Sequence, residues 1–276
     1  MLGRHLFYLY LRWALKFRKI EIMNPEIVVD ALRAFQAGET RLIVAFRHPY
    51  GDEPQLLFHV FEKLAPRYAR RLHKPLRHSP GVRPVHDYAV SLWGDAVIRF
   101  ILPRVGAVPV YHVKYDRESV QAIRSVMKDG QSPLGIAPEG QISYHSQTLP
   151  RIEQGTVRMG FWAVNDLDKA GRSEHVTVLP LSVHYCYFER DAHKVLQELG
   201  TIEAICGIEM NTPAEAYASP AALLPRVERL EETQLQKTEA FYQESYGYAP
   251  PETASRHERW MALQPFALSI AETMLG

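Results

Sequence analysis

The chain has 276 residues, of which 46% are hydrophobic and 23% are charged. These proportions are those of a soluble globular protein and exclude a disordered or collagen-like chain. Two cysteines, Cys186 and Cys206, cannot alone form a disulfide framework or a tetrahedral zinc site, so a reducing, cytoplasmic compartment is expected. Because no run of about 18 apolar residues is present, the sequence predicts no membrane-spanning helix.

The net charge of +1 conceals two basic segments, residues 1–20 and 63–84, neither of which contains an acid. Such segregation favours an anionic partner, such as a membrane surface or a phosphorylated ligand, although two solvated surface segments would look the same. No nucleic-acid recognition motif accompanies them, so nucleic acid is not an expected partner. The cations are Arg4, Arg12, Lys16, Arg18 and Lys19 in the first segment, and Lys63, Arg67, Arg70, Arg71, Lys74, Arg77 and Arg83 in the second.

The N-terminal segment combines cations with closely spaced aromatic and apolar residues, among them Trp13 and Phe17. Helices that lie in a membrane interface have this composition, with rings at the headgroup level and cations reaching into water. The apolar run is interrupted by Arg12 and is too short to span a bilayer. The sequence predicts a helix on a membrane surface, hence a peripheral membrane protein; the alternative is a helix packed on its own domain.

Helices and short apolar strands alternate through the rest of the chain. Helices are predicted at residues 25–37, 53–64, 86–102, 117–128, 155–165, 221–247 and 253–274, and strands at 41–46, 106–111, 132–137 and 176–182. This order predicts an α/β fold with a mixed, largely parallel sheet flanked by helices. We expect a single domain over residues 1–276, with a core of about 24–210, an N-terminal amphipathic helix at 1–20 and a C-terminal helical extension at about 221–276.

A histidine follows the first predicted strand. His48 comes two residues after the apolar run, and Asp52 and Glu53 follow it by four and five residues. A carboxylate on one ring nitrogen leaves the other to accept a proton, so this arrangement suits a general base. The alternative is a loop histidine whose neighbouring acids stabilise the N-terminus of the next helix.

A second loop follows the strand predicted at 132–137. Pro138 ends that strand, Glu139 supplies a carboxylate, and Gly140 allows the backbone to approach a ligand closely. Taken alone, it reads equally well as an ordinary turn.

The two loops, in this order and about 90 residues apart, resemble those of the glycerolipid acyltransferase family, which includes the glycerol-3-phosphate and lysophosphatidic acid acyltransferases. That family carries His-x4-Asp after its first strand, a glycine-rich middle strand, a Phe-Pro-Glu-Gly-Thr-Arg-Ser loop and a last apolar strand with a proline. The corresponding segments are residues 48–53, 106–112, 137–143 and 178–182, and the resemblance spans roughly residues 40–185.

The resemblance implies an O-acyltransferase that moves a fatty acyl chain from acyl-CoA or acyl carrier protein to a hydroxyl of a lysophospholipid-type acceptor. His48 would be the general base, and Glu53 or Asp52 would orient its imidazole. No metal and no cofactor besides the thioester co-substrate is expected. The residues expected to bind the acceptor are Glu139, Gly140, His112, Lys114, Arg117 and Arg151.

Three positions differ from the family pattern. Glu53 stands where the family has aspartate, and His112 and Ile142 stand where it has two arginines associated with the acceptor phosphate. Isoleucine cannot replace a bidentate phosphate contact. Three alternatives therefore remain open: transfer to a non-phosphorylated lipid acceptor, a thioesterase, and a non-catalytic membrane-surface protein of the same fold.

Overall fold

The computed structural model describes residues 2–93, 96–104, 106–111, 116–146, 149–186, 188, 192–208, 220–252 and 254–275. The chain divides into two compact units, residues 1–185 and residues 186–276. The expectation of one domain over residues 1–276 stays a prediction.

The first unit holds the sheet and the helices that cover it. Its helices are α1 (Leu2–Trp13), α2 (Pro25–Ala37), α3 (Glu53–His59), α4 (Ala65–Arg71), α5 (Tyr88–Trp93), α6 (Ala96–Arg104), α7 (Arg117–Asp129) and α8 (Gly155–Lys169), with a π-helical turn, Val60–Leu64, between α3 and α4. Its strands are β1 (Thr40–Phe46), β2 (Arg83–Asp87), β3 (Val108–Val110), β4 (Leu134–Ile136) and β5 (His175–Leu181).

The five strands form one parallel sheet in the order β3-β2-β4-β1-β5. This confirms the predicted α/β fold. Ala45 of β1 pairs with Ile136 of β4, and Phe46 pairs with Leu181 of β5. Because the strands are parallel and in this register, the chain leaves all three at the same edge of the sheet, where ligands collect in α/β proteins.

The inner position of β1 explains why its sequence is almost entirely apolar. Val44 and Phe46 belong to a core cluster that includes Leu32 of α2 and Phe61 of the π-helical turn. Ile43 points the other way, into a second cluster with residues of α7, β4 and α8. Side chains of a strand alternate between the two faces of a sheet, so helices on both faces require apolar residues at successive positions.

The prediction of one helix over residues 86–102 is wrong at the N-terminal end of that range. Residues 83–87 form β2, which pairs with β3 and β4, and α5 and α6 follow as two short helices. Only Val85 and Pro84 are apolar within Arg83–Asp87, so no hydrophobic pattern marks this strand. Pairing on both sides within the sheet overrides the weak local signal. The helix α4, in the basic segment 63–84, was also not predicted.

The second unit consists, in its described part, of α9 (Ala192–Ile205), α10 (Pro220–Tyr246) and α11 (Arg256–Leu275). The last two match the predicted C-terminal helices. Leu235, Tyr248 and Leu263 form its buried apolar centre. Glu203 of α9 is fully buried and accepts hydrogen bonds from the Arg226 guanidinium of α10, which compensates its charge.

Candidate active site

The imidazole of His48 is held by Glu53. His48 lies two residues beyond β1, and Glu53 is the first residue of α3, so the loop between them turns the chain back toward the ring. The Nδ1 atom of His48 lies 2.7 Å from Oε2 of Glu53. The ring of Phe46 packs edge-on against the imidazole, with 6.1 Å between ring centroids. The nitrogen Nε2 makes no hydrogen bond to a described residue, and the His48 side chain is 21% exposed.

The Glu53 carboxylate is fully buried and accepts four hydrogen bonds. Its Oε2 receives His48 Nδ1 and, at 2.8 Å, the backbone N–H of Gly51. Its Oε1 receives the backbone N–H of Tyr50 at 3.1 Å and the hydroxyl of Tyr185 at 2.5 Å. Burial raises the pKa of the Glu53 carboxyl, but the hydrogen bonds from His48, Tyr185 and the backbone outweigh burial, and the net pKa lies below its usual value. Glu53 is therefore an ionised partner for the ring.

Asp52, the other acid that the sequence offered, makes no hydrogen bond to His48. It precedes α3 at the N-cap position and makes no side-chain capping bond. Burial, and secondarily the charge of Glu53, raise the pKa of the Asp52 carboxyl. Of the two acids, Glu53 is the one that orients the imidazole.

The second predicted loop lies directly against the first. Oε1 of Glu139 accepts hydrogen bonds from Nε of Arg47 and, at 3.2 Å, from the backbone N–H of His48. The backbone N–H of Ser143 donates to the carbonyl of His48 at 3.0 Å. Glu139 and Arg47 are both buried, so their ion pair joins the two loops inside the protein.

Gly140 is required by the shape of this turn. Its φ is +71°, in the left-handed region, and a Cβ atom there would lie 2.6 Å from the Glu153 carboxylate. The backbone N–H of Glu153 donates to the carbonyl of Pro138 at 2.7 Å, so residues 151–153 run alongside the turn. The backbone N–H of Gly140 itself donates to Ala137 at 3.2 Å.

The remaining predicted binding residues are dispersed. Arg151 is exposed just before Glu153, beside the turn, and Arg117 is exposed in the first turn of α7. Neither side chain makes a hydrogen bond within the described part of the chain. His112 and Lys114 lie outside the described residues. Ile142, at the position of one family arginine, reaches the first loop: its Cδ1 lies 3.3 Å from where a Cβ of Gly51 would be.

Two residues of the site were not predicted from the sequence. Arg47 directly precedes His48, but its partner Glu139 is 92 residues away. Tyr185 lies 132 residues from Glu53 in an aromatic segment after β5. In the same segment, Oγ of Ser182 lies 2.8 Å from Nε2 of His184, but this pair is exposed. The only available signal was the position of Tyr185 just after the last strand.

Within the described ranges, no three or more His, Cys, Asp and Glu side chains are grouped in a way that suits a metal ion, and no helix has the length and apolar composition needed to cross a bilayer. Comparisons with models of protein families, with curated proteins and with solved structures give no match for this chain.

Proposed function

We propose that the protein is an O-acyltransferase in which His48 acts as general base, and that its donor is a thioester of coenzyme A or acyl carrier protein. The observation that carries this proposal is the His48–Glu53 pair, in which Nδ1 is hydrogen-bonded to a buried, ionised carboxylate and Nε2 has no hydrogen-bond partner among the described residues. This is the charge arrangement of a hydrolytic triad, in which the acceptor hydroxyl takes the place of the serine.

The reaction needs only these groups and the two substrates. Nε2 of His48 takes the proton of the acceptor hydroxyl while its oxygen forms a bond to the thioester carbonyl carbon. Glu53 stabilises the imidazolium that results. The tetrahedral intermediate then collapses, the carbon–sulfur bond breaks, and the thiolate takes the proton from Nε2. The products are an ester and a free thiol, and the imidazole is neutral again.

The acceptor is proposed to be a lysophospholipid. Arg151, which is exposed two residues before Glu153 beside the Gly140 turn, is proposed to meet its phosphate, since that turn carries residues that contact His48. One observation favours a second candidate, a non-phosphorylated lipid alcohol. Ile142 offers an apolar side chain beside Gly51 at the position where the resembled family has an arginine.

A peripheral membrane location is proposed from α1. Its inner face is docked on the first unit: Leu11 is fully buried, and the ring of Tyr8 stacks on His59 of α3 at 5.4 Å. Its outer face exposes Leu9 and Trp13, the latter 68% exposed. The helix thus packs on its own unit and still presents an apolar face. Exposed cations in both basic segments would attract anionic headgroups. They include Arg12, Lys16, Arg67, Arg70 and Arg71.

The experiment compares wild-type protein with His48→Ala, Glu53→Gln and a control, Ser182→Ala. Each is supplied with labelled acyl-CoA or acyl carrier protein thioester, with and without lysophospholipids or long-chain alcohols. We expect His48→Ala to lower ester formation by about 10²–10⁴-fold, with a comparable loss in Glu53→Gln and wild-type turnover in Ser182→Ala.

Each alternative gives a different result. Near-normal turnover in His48→Ala removes this residue from the mechanism, and loss in Ser182→Ala points to a covalent serine mechanism. Free acid released at the same rate without an acceptor identifies a thioesterase. Binding to anionic vesicles without turnover of any thioester identifies a non-catalytic membrane-surface protein.

A further inference from the structure

The Tyr185 hydroxyl reaches Glu53 because of the register of the sheet. Tyr185 lies four residues beyond Leu181, the last residue of β5, and Leu181 pairs with Phe46 of β1. The chain segments that carry Tyr185 and His48 therefore leave the sheet side by side. The hydroxyl of Tyr185 donates to Oε1 of Glu53 at 2.5 Å.

The position of this hydroxyl is fixed by packing of its ring. The ring of Tyr50 meets that of Tyr185 edge-on, with 4.9 Å between centroids, and Phe17 packs on it at 5.7 Å. Tyr50 also supplies one of the backbone donors to Glu53. Burial, followed by the hydrogen bond to Glu53, raises the pKa of Tyr185 well above its usual value. The hydroxyl therefore stays protonated near neutral pH and can donate to Glu53.

The four donors to Glu53 are shared equally between its two oxygens. His48 and the Gly51 N–H occupy Oε2, and Tyr185 and the Tyr50 N–H occupy Oε1. This set fixes the plane of the carboxylate, so that Oε2 stays directed at Nδ1. It also spreads the negative charge over four donors, which limits how strongly the carboxylate stabilises an imidazolium.

We propose that Tyr185 is a positioning residue, and that its hydroxyl sets the basicity of His48 through Glu53. Without this hydroxyl, Oε1 has one donor, the carboxylate carries more charge toward Oε2, and the protonated ring is stabilised. The imidazole of His48 then binds a proton at a higher pH. The catalytic consequence rests on the proposed function, but the effect on the titration of His48 does not.

The test is an NMR titration of the His48 ring in the full-length protein, with its resonance assigned by its loss in His48→Gln. Tyr185→Phe keeps the ring and removes only the hydroxyl. The control is Tyr68→Phe, since Tyr68 lies on α4 and its hydroxyl makes no hydrogen bond to a described residue. We expect the midpoint of His48 to rise by about 0.5–1 pH unit in Tyr185→Phe and to stay at the wild-type value in Tyr68→Phe. An unchanged midpoint in folded Tyr185→Phe overturns the proposal.

A second variant keeps the test decisive if Tyr185→Phe does not fold. Replacement of Tyr185 alone by 3-fluorotyrosine preserves the ring and hydroxyl and makes the hydroxyl a stronger donor. The midpoint of His48 is then expected to fall, and a rise or no change contradicts the proposal.

Activity distinguishes this inference from the proposed function. If the protein transfers acyl groups, the acidic limb of the pH profile of kcat/KM shifts in Tyr185→Phe by the same amount as the NMR midpoint of His48. A merely structural role of Tyr185 would not produce this shared shift. If no thioester is turned over, the proposed function fails while the titration still decides the role of Tyr185.

Discussion

The buried ion pair between Arg47 and Glu139 is expected to stabilise the region around His48 more than any exposed ion pair does. The two side chains are 10% and 1% exposed, and the second oxygen of Glu139 has no hydrogen-bond partner among the residues that the structure describes. In Arg47→Met the buried carboxylate retains, of its hydrogen bonds to described residues, the one from the His48 N–H at 3.2 Å. Removing one partner of a buried pair leaves an uncompensated charge and costs about 3–5 kcal/mol.

The matched control is Lys74→Met, which breaks an ion pair with Asp30 whose members are 38% and 52% exposed. A pair of this kind contributes about 1 kcal/mol or less. The double variant Arg47→Met, Glu139→Gln removes both charges and is expected to recover about half of the loss, since a neutral amide is cheaper to bury than a lone carboxylate.

Urea denaturation of the full-length protein, followed by circular dichroism, measures the loss. Urea is preferred because guanidinium would screen the charges. Hydrogen exchange read by mass spectrometry on peptides from residues 41–53 places the effect at β1 and the first loop. A loss in Arg47→Met no larger than that in Lys74→Met would refute the reasoning, as would a double variant less stable than Arg47→Met.

Three further predictions concern other parts of the first unit. Burial, and then the charge of a neighbouring lysine, lower the pKa of His59 from 6.5 to about 4, so the unfolded chain binds a proton first as the pH falls. The free energy of unfolding, measured by urea denaturation, should therefore decline between pH 6.5 and pH 4 by about 3 kcal/mol more in wild type than in His59→Phe, and equal declines contradict this. Gly140→Ala should destabilise the protein more than Gly171→Ala. Both glycines have a positive φ, at +71° and +67°, but of the two only Gly140 has a neighbouring atom where a Cβ would lie. Equal thermal midpoints of the two variants would disprove the clash. Trp13→Ser should weaken binding to anionic vesicles, measured by co-sedimentation, about tenfold. The control Ile205→Ser changes an exposed residue of the second unit and should not weaken binding. Equal effects of the two substitutions would show that α1 is not the membrane contact.

The parts of the fold that could be predicted from the sequence are those whose signal is local. Residues 42–46 of β1 are an unbroken apolar run because both faces of the strand are covered, and α2 begins at Pro25 and ends before Gly38. The strand β2 has no such signal, since two of its five residues are apolar and its partners are β3 and β4. Pairing between distant strands is not visible in a local pattern.

The same distinction applies to the candidate site. His48 and Glu53 are five residues apart in the same loop, so their spacing alone suggested the hydrogen bond between them that the structure contains. The sequence alone did not decide between Asp52 and Glu53, because the direction in which α3 starts determines which of the two carboxylates reaches the imidazole. The contacts of Glu139 with Arg47 and of Tyr185 with Glu53 depend on the register of the sheet, which joins residues 92 and 132 positions apart.

The hydrogen bonds between the first and second loops have a consequence for access to the ring. The backbone N–H of Ser143 donates to His48, and Glu139 accepts from both His48 and Arg47, so hydrogen bonds join residues 47–48 to residues 139–143. The two loops cannot separate without exposing the buried carboxylate of Glu139. The approach to Nε2 therefore does not lie between these two loops unless the Arg47–Glu139 pair breaks.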